Sequence, residues 1–425
     1  MSMAAPPATS WTLTARWVLP VSGPPLENGT VTIAGDTITA VEAHGQRAPD
    51  IDLGNSAVIP GLVNAHTHLD LSSVPGRIPF DGDFTNWLRG VIAHRRALTP
   101  EQIEAAVRAG LAESLRHGVT LLGDISGGGL SWRVLAGASC RAVVFFELIG
   151  LPRARADSAL AAARQWLDTI VRSATCRPGL SPHSPYSVSD ALFVGSAQLA
   201  AAIGLPMAVH VAETQAEVEL LAHGMGAFVP FLKELDSWDE SGLIRGLDVG
   251  PWEPDVLWTC DSRNTLVVHG NYLTADQVRP LRSTIVYCPR THAYFGHPPH
   301  PFREFLKRGV HVALGTDSRA SNPDLDLLAE ARFLHRRYPD VPGLTILWMA
   351  TLAGAEALGW ADVTGSLTPG KSADLVAVPL PNSDAADPYK LVFESDLPGR
   401  RVLWRGQWRG SEPRPSGSGP SATGP

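Results

Sequence analysis

The chain has 425 residues, a formal net charge of −7 at pH 7, 44% hydrophobic residues and 18% charged residues. This composition is typical of a globular protein with a large core, and an acidic chain without a basic run disfavours a nucleic-acid partner. The four cysteines lack metal-clip and dense disulfide spacing, and no segment reaches the about 18 apolar residues of a spanning helix, so we expect a cytoplasmic protein without a membrane partner.

Both ends of the chain predict short β-strands. The segments "WTLTARWVLP", "GTVTIAGDTITAVE" and "SAVIP" alternate apolar and polar residues, and "GSLTPGKSADLVAVP" and "GRRVLWRGQWRG" near the other end have the same pattern. We therefore predict one small β-sandwich domain built from residues 1–58 and 363–410. Residues 411–425 are rich in Pro, Gly and Ser, which predicts a disordered tail.

The middle of the chain, residues 59–362, alternates apolar strand candidates with helical patterns. The strand candidates are "GLVNAH" (61–66), "GVTLLGDI" (118–125), "RAVVFFELIG" (141–150), "RPGLSPH" (177–183), "LPMAVHVAE" (205–213), "NTLVVHG" (264–270), "STIVYCP" (283–289) and "GVHVALGTDS" (309–318). A helix is predicted from Thr99, with Thr as its cap and Pro in its first turn. Eight strands alternating with helices predict an α/β fold, a TIM-like (β/α)8 barrel. The long connection 223–263 is a candidate cap over its mouth.

Polar side chains stand at the ends of several predicted strands, where a parallel barrel carries its active groups. They are His66, His68, His210, Glu213, His269 and Asp317. A lone histidine on an apolar strand is more often a core residue, and His-x-His alone is weak evidence. Their combination at four strand ends predicts a metal site of three imidazoles and a carboxylate, which suits Zn²⁺, with Fe²⁺ as the alternative.

Two of these groups have alternative interpretations. Glu213 is either an acidic residue in the first turn of a helix or, as we favour, a general acid and base beside the metal. His269 is a ligand, a core histidine or, as we favour, a group that orients the attacking water.

The segments "PGLVNAHTHLD", "SPHSPYSVS", "HVAET", "VVHGNYL", "CPRTHAYFGH" and "VALGTDSRASN" resemble the amidohydrolase superfamily in order and spacing. Within it, the chain is similar to the metal-dependent deaminase and chlorohydrolase branch, which includes adenosylhomocysteine and methylthioadenosine deaminases and aminodeoxyfutalosine deaminases. The resemblance implies that His66, His68, His210 and Asp317 bind the metal. It also implies that Glu213, His269 and Asp317 act in catalysis, by proton transfer and water orientation.

The lysines predict a site with one metal. Some relatives hold two metals bridged by a carbamylated lysine at the end of the fourth strand, where this chain has "LSPHSPYS". The four lysines are Lys233 and Lys307, in helical patterns, and Lys371 and Lys390, in the C-terminal β region. A mononuclear site favours hydrolytic deamination, with release of ammonia.

The substrate is predicted from fewer residues. His183 matches a histidine that contacts the purine in nucleoside-deaminating relatives, although it could also be a structural turn residue. Trp87 and Leu88 match a Trp-Leu pair beside the substrate sugar, but the acidic residue that often follows is not evident. Four arginines near the mouth, which could equally be solvated surface residues, are candidates for a carboxylate clamp: Arg89, Arg95, Arg96 and Arg290.

We therefore expect a small-molecule substrate, a 6-aminopurine nucleoside of the aminodeoxyfutalosine or adenosylhomocysteine type, and leave homo-oligomer formation open. The alternatives are a deaminase or chlorohydrolase of another ring, such as guanine, cytosine or a triazine, and a non-catalytic metal- or ligand-binding barrel. The last would predict a missing ligand or acid, whereas this sequence keeps all six groups.

Overall fold

The protein is represented by a computed structural model that describes residues 10–171, 173–244, 264–278, 282–383 and 385–409. The predicted tail, 411–425, and residues 245–263 of the predicted cap lie outside the described residues. None of the described helices is both long and apolar enough to cross a membrane.

The described residues form the following strands and helices. The strands are β1 (Ser10–Thr14), β2 (Trp17–Val18), β3 (Leu26–Glu27), β4 (Thr30–Ala34), β5 (Thr37–Glu42), β6 (Ile51–Asp52), β7 (Ser56–Pro60), β8 (Leu62–Thr67), β9 (Val119–Gly127), β10 (Arg141–Leu148), β11 (Cys176–Pro182), β12 (Met207–Val211), β13 (Thr265–His269), β14 (Thr284–Tyr287), β15 (Val312–Leu314), β16 (Leu375–Pro379), β17 (Arg401–Trp404) and β18 (Gln407–Arg409). The helices are α1 (Phe84–Ala97), α2 (Pro100–Arg116), α3 (Trp132–Leu135), α4 (Arg153–Thr169), α5 (Asp190–Ile203), α6 (Gln215–His223), α7 (Phe228–Glu234), α8 (Ala275–Val278), α9 (Pro289–Tyr294), α10 (Phe302–Lys307), α11 (Leu327–Arg337), α12 (Gly343–Met349), α13 (Leu352–Ala357) and α14 (Pro388–Phe393).

Strands β8 to β15 form one parallel sheet in chain order, and each of them falls on a predicted strand. The sheet closes on itself where the backbone amides of Thr316 and Asp317 each donate to the carbonyl of His66 at 3.1 Å. Apolar side chains such as Val63, Leu121 and Val143 fill its interior. The predicted (β/α)8 barrel is therefore confirmed, and its strands end at one mouth.

The helix predicted from Thr99 is α2. The side chain of Thr99 accepts a hydrogen bond from the amide of Gln102, whose side chain in turn accepts from the amide of Thr99. This capping box and the proline at the first helical position fix where the helix begins.

The two chain ends form a separate pair of sheets, as predicted. One sheet has the order β5-β4-β1-β6 and the other β18-β17-β16-β7-β2-β3. In the second sheet, β16 from the C-terminal part pairs antiparallel with β7, which directly precedes the barrel. One apolar cluster, including Leu13, Ile33, Val58, Leu375 and Leu403, draws side chains from both sheets, so they pack as a sandwich.

The local structure predicted for one lysine is wrong. Lys390 lies on helix α14 and not in a β region, because Asp387 caps this helix and Pro388 opens it. The lysine remains far in sequence from the barrel strands. The residue limits assigned to the domains stay a prediction.

Candidate active site

The first barrel strand brings two histidines to the mouth. His66 lies near the end of β8 and His68 follows it, and their rings meet edge to face with centroids 4.9 Å apart. Both are buried. Residues i and i+2 of an extended chain point to the same side, which explains the convergence of the rings. The side chain of Asn64 accepts from the amide of Thr316 at 3.1 Å and so ties this strand to the end of the barrel.

Two more histidines come from neighbouring strands. His210 lies on β12 and His269 ends β13, and their ring centroids lie 4.9 and 5.7 Å from that of His66. His210 Nδ1 lies 2.8 Å from the backbone carbonyl oxygen of His183, so Nδ1 carries the proton and Nε2 keeps its lone pair for a metal. Burial lowers the pKa of His68, His210 and His269 well below the usual range, which favours the neutral ring that metals bind.

Asp317 follows the last barrel strand and faces the first. Its Oδ1 lies 3.6 Å from His66 Nε2 and 3.7 Å from His68 Nε2. Its Oδ2 accepts a hydrogen bond from Ser321 Oγ at 2.8 Å, and its carbonyl accepts from Thr67 Oγ1 at 3.0 Å. The carboxylate is therefore oriented with one oxygen free to serve as a ligand.

These side chains fit a divalent metal ion. The possible donor atoms form two groups, and within each group all atoms lie within 4.8 Å of one another. One group consists of His66, His68 and Asp317, and the other of His66, His210 and His269. Both ring nitrogens of His66 are buried and have no hydrogen-bond partner among the described residues. A buried polar atom without a partner is costly, and a metal ion in contact with Nε2 would remove part of that cost.

Glu213 lies beside this cluster. The side chain is buried, and its Oε1 is 3.4 Å from His269 Nε2. Burial, followed by the charges of Asp317 and Glu217, raises the pKa of Glu213 well above its ordinary value. A carboxyl group with a raised pKa is a better proton acceptor than an ordinary carboxylate, which suits a general acid and base.

Three residues around the site have left-handed backbone conformations that L-residues rarely adopt. The φ angles are 51° at Ala212, 68° at His269 and 57° at Asp317. Each such residue costs about 1–2 kcal/mol relative to a right-handed conformation. Glu217 stabilises this backbone, because its carboxylate accepts from the amides of Ala212 and Glu213 at 3.0 and 2.9 Å. Strain of this kind, held by buried hydrogen bonds, is concentrated where catalytic side chains are aimed.

A cavity of about 160 Å³ extends from these groups towards solvent. Among its walls are the predicted site residues His68, His183, His210, Glu213, His269, Asp317, Trp87, Leu88 and Arg95. His66 is fully buried beneath it. The structure therefore brings together all six strand-end groups and four of the predicted substrate-binding residues, His183, Trp87, Leu88 and Arg95.

Arg89 and Arg290 do not line the cavity. Arg89 pairs with Glu234 at 2.6 Å, and Arg290 pairs with both Glu330 and Asp324 at 2.6 Å. Both guanidinium groups are therefore occupied by carboxylates of the protein. Arg96 is exposed and also lies outside the cavity lining.

Arg95 does line the cavity, but two acids hold it. Its guanidinium lies 3.0 Å from Asp70 and 3.2 Å from Glu147, and both carboxylates are largely buried. This arrangement makes Arg95 part of a buried ion-pair network beside the site.

The sequence did not point to Arg155, which lies at the cavity rim on α4. The guanidinium contacts the side chain of Ser237, the carbonyl of Leu235 at 3.4 Å and the exposed carboxylate of Asp236 at 3.4 Å. The sequence could have indicated Arg155, because it closely follows the third barrel strand, and segments after barrel strands carry site residues.

The described part of the predicted cap also lines the cavity. Helix α7 contributes Phe231 and Leu232, and Leu235 and Ser237 follow it. These side chains face α1, which contributes Phe84, Trp87, Leu88, Val91 and Ile92. The outer cavity is thus mainly apolar. The cavity lining within the described residues includes no lysine, so no lysine is placed to bridge two metals.

The chain belongs to the amidohydrolase family, whose sequence model matches residues 57–403. Among proteins of known name, it is 31% identical to a 5-methylthioadenosine/S-adenosylhomocysteine deaminase of Nitratidesulfovibrio vulgaris over 378 residues, which is 84% of this chain and 80% of that protein. It is also 31% identical to an aminodeoxyfutalosine deaminase of Deinococcus radiodurans over 352 residues, 78% of this chain and 81% of that protein.

A solved structure supports the same family. The zinc-bound adenosine deaminase of Xanthomonas campestris superimposes with a TM-score of 0.76 and 25% identity, covering 93% of this chain and 92% of that one. The predicted resemblance to the deaminase branch is confirmed by these relatives.

Proposed function

We propose that the protein is a metal-dependent hydrolase that deaminates 6-aminopurine nucleosides and releases ammonia. The observation that carries the proposal is the convergence of four histidines, Asp317 and Glu213 at one buried site, open to a cavity. The names of the relatives support the purine nucleoside as substrate.

The proposed metal ligands are His66, His68, His210 and Asp317, with Zn²⁺ as the favoured ion and Fe²⁺ as the alternative. The donor set of three imidazoles and a carboxylate supports this choice, as does the zinc bound in the Xanthomonas relative. When bound, a divalent ion acts as a Lewis acid and lowers the pKa of water, which permits hydrolysis at neutral pH.

The protein side chains move the protons. Glu213 takes one proton from the attacking water and delivers it to the ring nitrogen. The remaining proton of the added hydroxyl then passes to the amino group, which leaves, so that water and the 6-amino compound yield the 6-oxo compound and ammonia. His269, 3.4 Å from Glu213, and Asp317 hold the water against the ring carbon. General acid–base transfer of this kind typically contributes about 10²–10⁴-fold to the rate.

His183 is proposed to bind the purine. Its Nδ1 lies 3.0 Å from Ser187 Oγ, and Ser187 Oγ donates to the carbonyl of Ser184 at 3.1 Å. Ser187 therefore accepts from His183 Nδ1–H, which leaves Nε2 as the atom available to a ligand. Burial lowers the pKa of His183, which favours the neutral ring, so Nε2 would accept a hydrogen bond from an N–H group of the substrate.

The outer cavity favours a nucleoside with an apolar group on its sugar. The facing side chains of α1 and α7 are mostly apolar, and Arg155 stands at the rim. Two arginines, Arg95 and Arg155, are among the described residues that line the cavity, and Arg155 has the weaker competition from acids, because its acidic partner Asp236 is fully exposed. An apolar substituent that ends in a carboxylate matches this arrangement.

An ultraviolet assay on zinc-loaded protein tests the proposal, because deamination of adenine shifts its absorbance. The panel contains adenosine, methylthioadenosine, adenosylhomocysteine and aminodeoxyfutalosine, with guanine, cytosine and a triazine as controls. We expect turnover of the purine nucleosides, with the acidic members at least about tenfold higher in kcat/KM than adenosine. Brisk turnover of a control ring without any nucleoside turnover would refute the nucleoside assignment.

A further inference from the structure

A second group of histidines lies in the segment after β14, which contains helix α9. Two of them are buried and His297 is half-buried. His292, His297 and His300 all fall in the segment "CPRTHAYFGHPPH", and we call them the loop histidines. The proposed reaction uses none of them, and none lines the cavity. One of them, however, reaches the backbone of an active-site residue.

That residue is His269, whose backbone conformation is strained. Its φ angle is 68°, in the left-handed region, and Gly270 follows at 63°. An L-residue stays in this conformation only when its surroundings hold it there. The carbonyl of His269 lies 2.8 Å from the Nε2 atom of His300.

His300 is itself fixed in one orientation. Its Nδ1 accepts from the backbone amide of Phe302 at 3.0 Å, so the proton resides on Nε2 and is donated to the carbonyl of His269. The ring is 3% exposed and stacks on Tyr287 with centroids 4.0 Å apart. Because both nitrogens are bonded and one face is packed, His300 can hold the His269 carbonyl in only one place.

We propose that His300 is a positioning residue, which holds the strained backbone of His269 so that its imidazole stays directed at Glu213. The inference rests on the proposed function, in which His269 orients the attacking water. His300 is not among the described residues that line the cavity. Its loss should therefore lower kcat and leave KM and bound zinc unchanged.

Two amide substitutions separate the two hydrogen bonds of His300. His300→Gln places its amide nitrogen where Nε2 lies and can still donate to His269. His300→Asn places its oxygen where Nδ1 lies, so it can accept from Phe302 but cannot reach His269. In zinc-loaded protein, we expect kcat of the Gln variant to lie within about threefold of wild type. We expect kcat of the Asn variant to be at least about tenfold lower, which corresponds to about 1.4 kcal/mol in activation free energy.

His292→Leu is the matched control. His292 is a buried loop histidine too, but its Nε2 bonds the carbonyl of Pro298 at 2.9 Å. Its variant should lose thermal stability while kcat stays near wild type. A comparable fall in kcat for His292→Leu would show that any damage to this loop slows the enzyme, and would overturn the assignment to His300.

Crystal structures of the same zinc-loaded variants supply a readout that needs no substrate. The separation of His269 Nε2 and Glu213 Oε1, 3.4 Å here, should be kept in the Gln variant and altered in the Asn variant. If wild type deaminates no nucleoside, the proposed function fails, while this separation still decides the role of His300. Equal separations, equal kcat values for Gln and Asn, or zinc loss in the Asn variant would overturn the proposal. Should the Asn variant not fold, a folded Gln variant with tenfold lower kcat would overturn it as well.

Discussion

Two groups of histidines lie within one barrel, and most of their members are buried. The mouth histidines are His66, His68, His210 and His269, and the loop histidines follow β14. Burial lowers the pKa of members of both groups, to about 4 for His292 and His297 and to about 3 for His300. Burial and a depressed pKa therefore do not identify a metal ligand.

Hydrogen-bond partners set one mouth histidine, His66, apart from the loop histidines. They do not divide the groups completely, because His210 Nδ1 has a partner and the buried His297 Nε2 has none among the described residues. Each loop histidine has a ring nitrogen bonded within the protein: His292 to a carbonyl, His297 to the Tyr272 hydroxyl at 3.0 Å, and His300 to a carbonyl and an amide. His66, by contrast, has two buried nitrogens without partners among the described residues, and Asp317 stands next to it. An unsatisfied ring beside a carboxylate is the better indicator of a metal site.

The largest expected effect follows from removing a mouth histidine. His66→Ala should abolish both activity and bound zinc, because it removes a central donor of both metal-binding groups. Metal content is measured by elemental analysis after zinc reconstitution, with His292→Leu as the control that keeps its metal. If the His66→Ala protein kept full zinc content and full activity, the assignment of the mouth histidines as metal ligands, in contrast to the loop histidines, would be wrong.

The next largest effect tests whether Glu213 transfers protons or binds the metal. Glu213→Gln keeps the shape of the side chain but cannot transfer a proton, so kcat should fall by about 10²–10⁴-fold. Zinc content and the affinity for a nucleoside product should stay close to wild type. Loss of metal from this variant would instead assign Glu213 as a ligand.

A smaller effect concerns a loop histidine and pH. Burial lowers the pKa of His292 to about 4, compared with about 6.5 for an exposed histidine. Between these values the unfolded chain binds a proton that the folded chain does not, so His292 makes the protein less stable as pH falls through this window. His292→Leu should reduce the slope of unfolding free energy against pH by up to about 1.4 kcal/mol per unit.

Urea denaturation at several pH values between 4 and 7 measures that slope. The variant should also lose about 0.5–1.5 kcal/mol at neutral pH, because it no longer makes the hydrogen bond to the carbonyl of Pro298. Identical slopes for wild type and variant would mean that His292 is not held neutral in the fold.

The smallest effect concerns substrate choice. Arg155→Ala should lower kcat/KM for acidic nucleosides by about tenfold and leave that for adenosine unchanged. Arg89→Ala is the matched control, because Arg89 pairs with Glu234 outside the cavity. Equal losses on acidic and neutral nucleosides would show that Arg155 acts on the fold of the rim and not on a carboxylate.

The sequence predicted the barrel, both halves of the β-sandwich and the six strand-end groups, because strand periodicity and chain order determine which residues reach the mouth. It could not predict which arginines face the cavity. Arg290 is held by Asp324 and Glu330, which lie more than thirty residues further along the chain. Such pairings depend on how helices pack, and periodicity carries no information about them.

The left-handed backbone conformations at the mouth could not be predicted from the sequence either. Glycine adopts positive φ angles readily, whereas Ala, His and Asp do not. The positive φ angles of Ala212, His269 and Asp317 therefore follow from the tertiary hydrogen bonds around them. The role inferred for His300 depends on such a bond, between residues thirty-one positions apart.

We propose that three of the mouth histidines, His66, His68 and His210, hold together with Asp317 one metal on which deamination depends. The most direct test removes metal with a chelator and then titrates zinc back, while bound zinc per chain and ammonia release from an acidic adenine nucleoside are measured together. We predict no activity without metal and an activity that rises with bound zinc and stops rising at one ion per chain. Full activity in the metal-free protein, or activity that requires a second ion, would contradict the account.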